Sequence, residues 1–157
     1  MPVLTLETLP AALPANRRLM GLDVGTKTIG LAVSDALLGL ASPLETIKRN
    51  KFAADAQHLL QLADRYEVGG LIVGLPLALD GSEGPRCQSV RQFAANLLAI
   101  RDMPLAFQDE RLSTAAVERA MIDDADMSRK KRAAAIDRAA AAYILQGALD
   151  RLAHLRK

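Results

Sequence analysis

The chain has 157 residues, half of them hydrophobic and 24% charged, and a formal net charge of only +2. That length supports one well-buried core and is short for two ordinary domains, and so small a net charge excludes nucleic-acid binding by bulk charge in the manner of a histone. A single cysteine, Cys87, rules out an internal disulfide framework and suits a reducing compartment. No apolar run approaches the ~20 residues that span a bilayer, so a cytoplasmic protein with no membrane partner is expected.

Residues 1–16 carry three prolines and no sustained period, which reads as a mobile leader before one domain over 17–157. Residues 19–23 and 29–34 are short apolar runs separated by Gly25, Thr26, Lys27 and Thr28, the spacing of two antiparallel strands joined by a tight turn. A third strand is predicted over 43–47. Residues 52–66 place Phe52, Ala56, Leu59, Leu60 and Ala63 on one side of an amphipathic helix, which Gly69 and Gly70 are expected to stop. Leu71, Ile72 and Val73 read as a central strand covered on both faces, and 76–85 as a loop. A helix follows over 86–101, then a strand over 105–108 after Pro104, which bars the helix from continuing. Ser113 reads as the N-cap of a helix to about 122, and a final alanine-rich helix runs over 128–155.

Three strands followed by alternating helix and strand imply an α/β fold, a mixed five-stranded sheet with its first three strands antiparallel and helices on both faces. In such sheets ligands gather outside the carboxyl ends of the parallel strands, and Asp23, residues 74–76 and Asp109-Glu110 all fall at such ends.

Three acids sit among residues that favour burial: Asp23 in LMGLDVGTK, Glu110 in FQDERLST and Asp137 in AAAIDRAAAAYIL. Asp137 shares a helix face with Ala141, Ile144 and Ala148, and the surrounding alanines are expected to let that helix come close to the sheet. Ionised carboxylates in an apolar setting need a proton or a partner, and three together repel one another. A divalent cation meets both needs, and oxygen-only ligation favours Mg2+ or Mn2+ over zinc. Two such ions about 4 Å apart can activate a water and stabilise the departing oxygen of an in-line phosphoryl transfer, so a phosphate ester is the expected substrate. Each acid also has a plainer use: Asp137 can pair with Arg138, Asp23 can cap its turn through backbone amides, and Glu110 can be exposed. Cys87 has no neighbouring base in the sequence, and His58 and His154 read as surface and helix-end residues.

The segments GLDVGTKTIGLAVSD, LIVGLPLALDGSEGPR, DERLST and IDRAAAAYILQ, in this order and spacing, resemble the YqgF family of ribonuclease H-like nucleases, also called RuvX or Holliday junction resolvase-like proteins. The resemblance covers nearly everything from residue 18 to residue 150. It implies a ribonuclease H-like fold and a metal-dependent nuclease, with Asp23 as the first-strand acid, Glu110 as the acid of DERLS and Asp137 as the helix acid. It also implies processing of the 5′ end of precursor 16S rRNA, on the RNA itself or within a pre-ribosomal particle. The older assignment of the family is resolution of branched, four-way DNA, for which two symmetrical cuts ask for a homodimer rather than a monomer.

This chain departs from the family's usual pattern at Ala78, where Asn is common, and at Ala133, Ala134 and Ala135, which separate the basic run from Asp137. Lys27, Arg86, Arg111, Lys130 and Lys131, with the rest of the 129–132 run, are the candidates for holding a phosphate backbone. With so few aromatics, recognition by shape and backbone with strong salt dependence is expected. The GLDVGT hairpin is also similar to the phosphate loop of sugar kinases and actin-like ATPases, which pair two such domains around a nucleotide; this chain has room for one. A non-catalytic RNA-binding assembly module is the remaining alternative, and the three intact acids argue against it.

Overall fold

Alternation of apolar residues between two covered faces shapes the sheet. The computed structural model describes residues 3–110 and 129–156. Strands β1 (Arg18–Val24), β2 (Thr28–Ser34) and β3 (Ala41–Lys48) form an antiparallel meander. Strands β4 (Val68–Leu75) and β5 (Leu105–Asp109) then add parallel to β1, giving the order β3-β2-β1-β4-β5. The turn between β1 and β2 closes where the Gly25 N–H donates to the Thr28 carbonyl at 2.8 Å.

One face of the sheet packs on α2 (Phe52–Arg65) and α3 (Pro85–Ile100). Met20, Leu22, Ile29, Leu31, Leu71 and Val73 from the strands meet Leu59, Val90, Phe93 and Leu97 from the helices there. The other face packs on the long helix α4 (Arg129–Leu155), with Leu19, Ala32, Ile72 and Ala106 against Ala141, Ile144, Leu145 and Ala148. The described residues contain no helix long and apolar enough to cross a membrane. The helix expected from Ser113 lies outside the described residues.

Two local expectations are corrected. Helix α2 ends at Arg65, and Glu67 takes the left-handed turn (φ 56°); Gly69 and Gly70 lie inside β4 instead. Side chains at 69 and 70 would strike Arg17 and Leu13, at 2.5 and 2.6 Å from an added Cβ, so the glycines serve packing rather than helix termination. The residues read as a mobile leader are docked: the Leu4 N–H donates to the Leu105 carbonyl at 2.8 Å, and Leu6 and Leu9 are buried beside α4. The physical reason is the spacing of Leu4, Leu6, Leu9 and Leu13, which gives this segment an apolar side. β5 ends the sheet with an open edge for it to pair with. Pro10 sits in the first turn of a short helix, here α1 (Leu9–Ala12), where its fixed φ suits the start.

Candidate active site

Side chains alternate along β1, so Leu19, Gly21 and Asp23 face α4 while Met20, Leu22 and Val24 face α2 and α3. Asp23 is the last of these before the turn, and it pairs in register with Gly30 of β2. Gly30 is where α4 touches the sheet: an added Cβ would stand 2.0 Å from the carbonyl oxygen of Asp137. Gly21 does the same one turn further along, with 2.9 Å to the Ala141 carbonyl oxygen. On β4, an added Cβ at Gly74 would lie 2.6 Å from Ile144 Cδ1 and 2.7 Å from Glu110 Oε2. Three glycines on three adjacent strands thus clear a floor on which the helix backbone rests and into which Glu110 extends. The close approach expected from the alanines of α4 depends equally on these absent side chains of the sheet.

Glu110 follows β5, and its N–H donates to the Leu75 carbonyl at 3.3 Å, which carries the chain across the end of β4. Its carboxyl hydrogen-bonds that of Asp23. Two carboxyl groups bond in this way only when one of them is protonated. Burial, then the Asp23 charge, then the bond to Asp23 push Glu110 up to about 8, with Arg86 opposing them. Burial also raises Asp23, opposed by the bond from Glu110, with the Asp137 charge raising it further and Arg86 lowering it. The pair titrates as a unit, with Glu110 as the proton carrier and Asp23 as the acceptor.

Asp137 is half-buried on α4, and its Oδ2 accepts a 2.8 Å bond from the Thr28 hydroxyl. It acts on Asp23 through its charge. Among the described residues, no three His, Cys, Asp or Glu side chains are grouped to hold a metal ion; Asp23 and Glu110 are joined, and Asp137 stands beside them in the hold of Thr28. This donor set still suits a hard cation. All of its donors are oxygens, as a hard cation prefers, two of the carboxyls stand side by side, and Gly74 keeps the space beside Glu110 open.

Of the basic candidates whose side chains are described, Arg86 stands beside the acids: its guanidinium donates to the Val24 carbonyl at 2.8 Å and lowers both carboxyls electrostatically. Lys27 is exposed in the β1–β2 turn, its carbonyl accepting the Arg49 N–H at 2.9 Å. Lys130 and Lys131 stand in the first turn of α4, with Lys131 exposed. Arg111 lies outside the described residues. Ala78 is in the β4–α3 loop, where its N–H donates to the Ser82 carbonyl at 2.9 Å.

His58 meets Glu45 on the exposed side of α2, and Cys87 is buried with its thiol donating to the Pro76 carbonyl at 3.2 Å, so neither is placed as a nucleophile or base beside the acids. Sequence reasoning missed Thr28 as the residue holding Asp137, and Arg49, whose guanidinium donates to the Gly25 carbonyl at 2.7 Å. Arg49 had a signal, its place in the Lys48-Arg49-Lys51 cluster. Thr28 had none beyond its closeness to Asp23.

Residues 17–151 match the family described as RuvX, Holliday junction resolvase. A protein of Rhodospirillum rubrum named "Putative pre-16S rRNA nuclease" is 59% identical over 152 residues, covering 97% of this chain and 94% of its own. One of the same name from Paramagnetospirillum magneticum is 58% identical over 150 residues, covering 96% of each. Among solved structures, Thermus thermophilus RuvC in complex with a Holliday junction substrate aligns with a TM-score of 0.51 at 15% identity, over 86% of this chain and 95% of that one. The yeast mitochondrial Holliday junction resolvase aligns with a TM-score of 0.51 at 12% identity, over 96% of this chain and 85% of that one. The fold is therefore that of the RuvC-type, ribonuclease H-like resolvases, and the chain belongs to the RuvX family.

Proposed function

We propose that this protein is a divalent-metal-dependent nuclease that hydrolyses phosphodiester bonds at the 5′ end of pre-16S rRNA, in the cytoplasm. What supports the reading is the juxtaposition of the Asp23 and Glu110 carboxyls in a glycine-lined clearing at the carboxyl end of the sheet, with Asp137 held beside them by Thr28. The RNA substrate is favoured by relatives named for pre-16S rRNA at 55–60% identity over most of their length.

Asp23 and Glu110 would hold Mg2+ or Mn2+, with Asp137 as the third oxygen donor. When bound, such a cation supplies Lewis acidity toward an attacking water and the departing oxygen. Binding requires Glu110 to give up its proton, so uptake of the metal releases a proton and strengthens as pH rises. Arg86 offsets negative charge beside the pair and would hold a phosphate oxygen, while Thr28 sets the orientation of Asp137.

The test is cleavage, with Mg2+ and with Mn2+, of a pre-16S 5′ fragment and of a four-way DNA junction by one preparation of the protein. Cleavage of the RNA at a defined position, absent in Asp23→Asn, is expected. The second reading, junction resolution, is favoured by the description of the matched family, and it predicts paired symmetrical cuts in the junction by a two-fold dimer. Full activity in purified Asp23→Asn protein would reject both.

A further inference from the structure

Beyond the acid pair, the β1–β2 turn, the connection from β3 to α2 and the helix α3 enclose a groove of which the catalytic reading uses only Arg86. It consists of two adjoining hollows of about 440 and 560 Å³ that share Arg49 and Ser89. Arg86 lines the inner hollow with Thr26, and Gln88, Gln92 and Asn96 line the outer one. These three amides stand four residues apart on one stripe of α3, so the outer wall is a row of neutral donors and acceptors. Among the described residues, no carboxylate lines either hollow.

Both arginines are fixed in place rather than free to wander. The Arg86 guanidinium donates to the Val24 carbonyl at 2.8 Å, and that of Arg49 donates to the Gly25 carbonyl at 2.7 Å while lying 5.5 Å from the centre of the Phe93 ring. The loop that carries Arg49 is held in turn by Asp55, only 5% exposed, whose carboxylate accepts the Asn50 N–H at 3.1 and 3.2 Å. A guanidinium bonded through one N–H retains four more for an anion. Two such groups, on consecutive carbonyls that directly follow Asp23, mark a path leading away from the acids.

We infer that this groove is a subsite for the single-stranded sugar–phosphate chain next to the cleaved bond, with Arg86 and Arg49 holding successive phosphates and the amide row of α3 flanking the nucleotides. The inference rests on the nuclease reading and assigns the route by which the strand passes the acid pair. Arg49 is a positioning residue: it orients the chain and takes no part in bond breaking.

The test is the affinity of a fluorescein-labelled single-stranded RNA of about 16 nucleotides, long enough to cover one site, measured by anisotropy in EDTA over a range of salt. DNA of the same sequence forms a parallel arm, and cleavage is assayed separately with Mg2+ or Mn2+. Arg49→Gln is expected to weaken binding roughly tenfold and to lower the slope of log affinity against log salt by about 0.7, the loss of one phosphate contact on a single strand. Gln92→Glu, which adds a carboxylate to the exposed wall without touching the acids, is expected to weaken it about fivefold by repelling a phosphate. Arg65→Gln, at the far end of α2, serves as the charge-matched control and leaves both quantities unchanged.

A merely structural role for Arg49 moves the melting temperature and not the salt slope, and that result overturns the assignment, as does a loss confined to one sugar type. If the wild type cleaves and both groove variants bind as it does, the subsite is wrong while the nuclease reading stands. If the wild type neither binds nor cleaves, both fall together.

Discussion

The two faces of the sheet are built from the same five strands and serve opposite ends. Toward α2 and α3 the strands present Met20, Leu22, Ile29, Leu31, Leu71 and Val73, all with no exposed surface, and large side chains fill the space between sheet and helices as in any dense core. Toward α4 the same strands present Gly21, Asp23, Gly30, Ala32 and Gly74. There the helix backbone takes the place of side chains and comes to where a single added Cβ would meet it at 2.0 Å. A carboxylate pair can persist on the second face because small residues leave it room and a rigid first face holds the strand ends still. The division of labour is open to test, since damage to one face should read out as lost stability and damage to the other as lost chemistry.

The largest expected effect on chemistry is that of Asp23→Asn. It keeps the shape and removes the charge proposed to hold a cation, so cleavage should fall roughly 10³-fold, the scale of losing one electrostatic element of an active site. The far-UV circular dichroism spectrum should not change. Leu59→Ala on the opposite face gives the mirror image: removing a fully buried side chain from α2 should cost about 3 kcal/mol in urea unfolding, with kcat per folded molecule retained. If Leu59→Ala also abolished kcat, the two faces would not be separable.

Gly30→Ala attacks both properties at once. The new Cβ meets a helix carbonyl rather than the tip of a flexible side chain, so α4 must shift, at a cost of about 3 kcal/mol. The shift carries Asp137 away from Asp23, and activity should drop with the stability. Ala substitution at Gly84, where an added Cβ meets nothing within 4 Å, is the control, expected to leave activity and unfolding midpoint near those of the wild type.

The acid pair also makes the metal-free protein sensitive to pH, with a sign opposite to that of an ordinary salt-bridged carboxylate. Glu110 keeps its proton up to about 8 in the folded protein against an ordinary value of 4.5, and Asp23 is raised as well. Between those limits the folded state binds more protons than the unfolded chain, so stability is fully present below about 4.5 and declines as pH rises toward about 8. Melting temperatures in EDTA should fall across that window. Glu110→Gln, which cannot lose a proton, should flatten the profile, and saturating Mg2+ should restore the wild type at the alkaline end. A wild-type profile that rises with pH in EDTA would contradict the shared proton.

How much of this was legible in the sequence divides along the same physical lines. Strands and helices followed from the periods of their apolar residues, and the sheet edge that gathers Asp23 and Glu110 followed from the parallel strand ends. The register did not. Whether Gly30 faces Asp23 is decided by the Gly25–Thr28 bond that closes the β1–β2 turn, and a glycine within an apolar run carries no mark of the helix that will rest on it. The docked N-terminal segment was hidden for a similar reason, because Leu4, Leu6 and Leu9 find partners only on β5 and α4, a hundred or so residues away along the chain. Arg49 was visible as part of a basic cluster, yet only the fold brings its guanidinium to the carbonyl of Gly25, 24 positions earlier.

The smallest expected effect is the one that reports on how Asp137 joins the site. Its Oδ2 is held by the Thr28 hydroxyl at 2.8 Å, and Thr28 opens β2 at the end of the turn that begins with Gly25, two residues after Asp23. Thr28→Val keeps a β-branched side chain of nearly the same shape, so the strand should form as before, but it removes the hydroxyl that orients the acid. Partners of this kind typically tune metal affinity or activity by 10–100-fold, and because Asp23 and Glu110 keep their own bond, a loss of about tenfold is expected. Thr28→Ser, which keeps the hydroxyl, should recover most of it. The informative readout is the Mn2+ concentration for half-maximal cleavage, which should rise in Thr28→Val with little change in rate at saturation. An unchanged Mn2+ requirement alongside the loss would place Asp137 outside the ligand set and leave the two strand-end carboxyls to hold the cation alone.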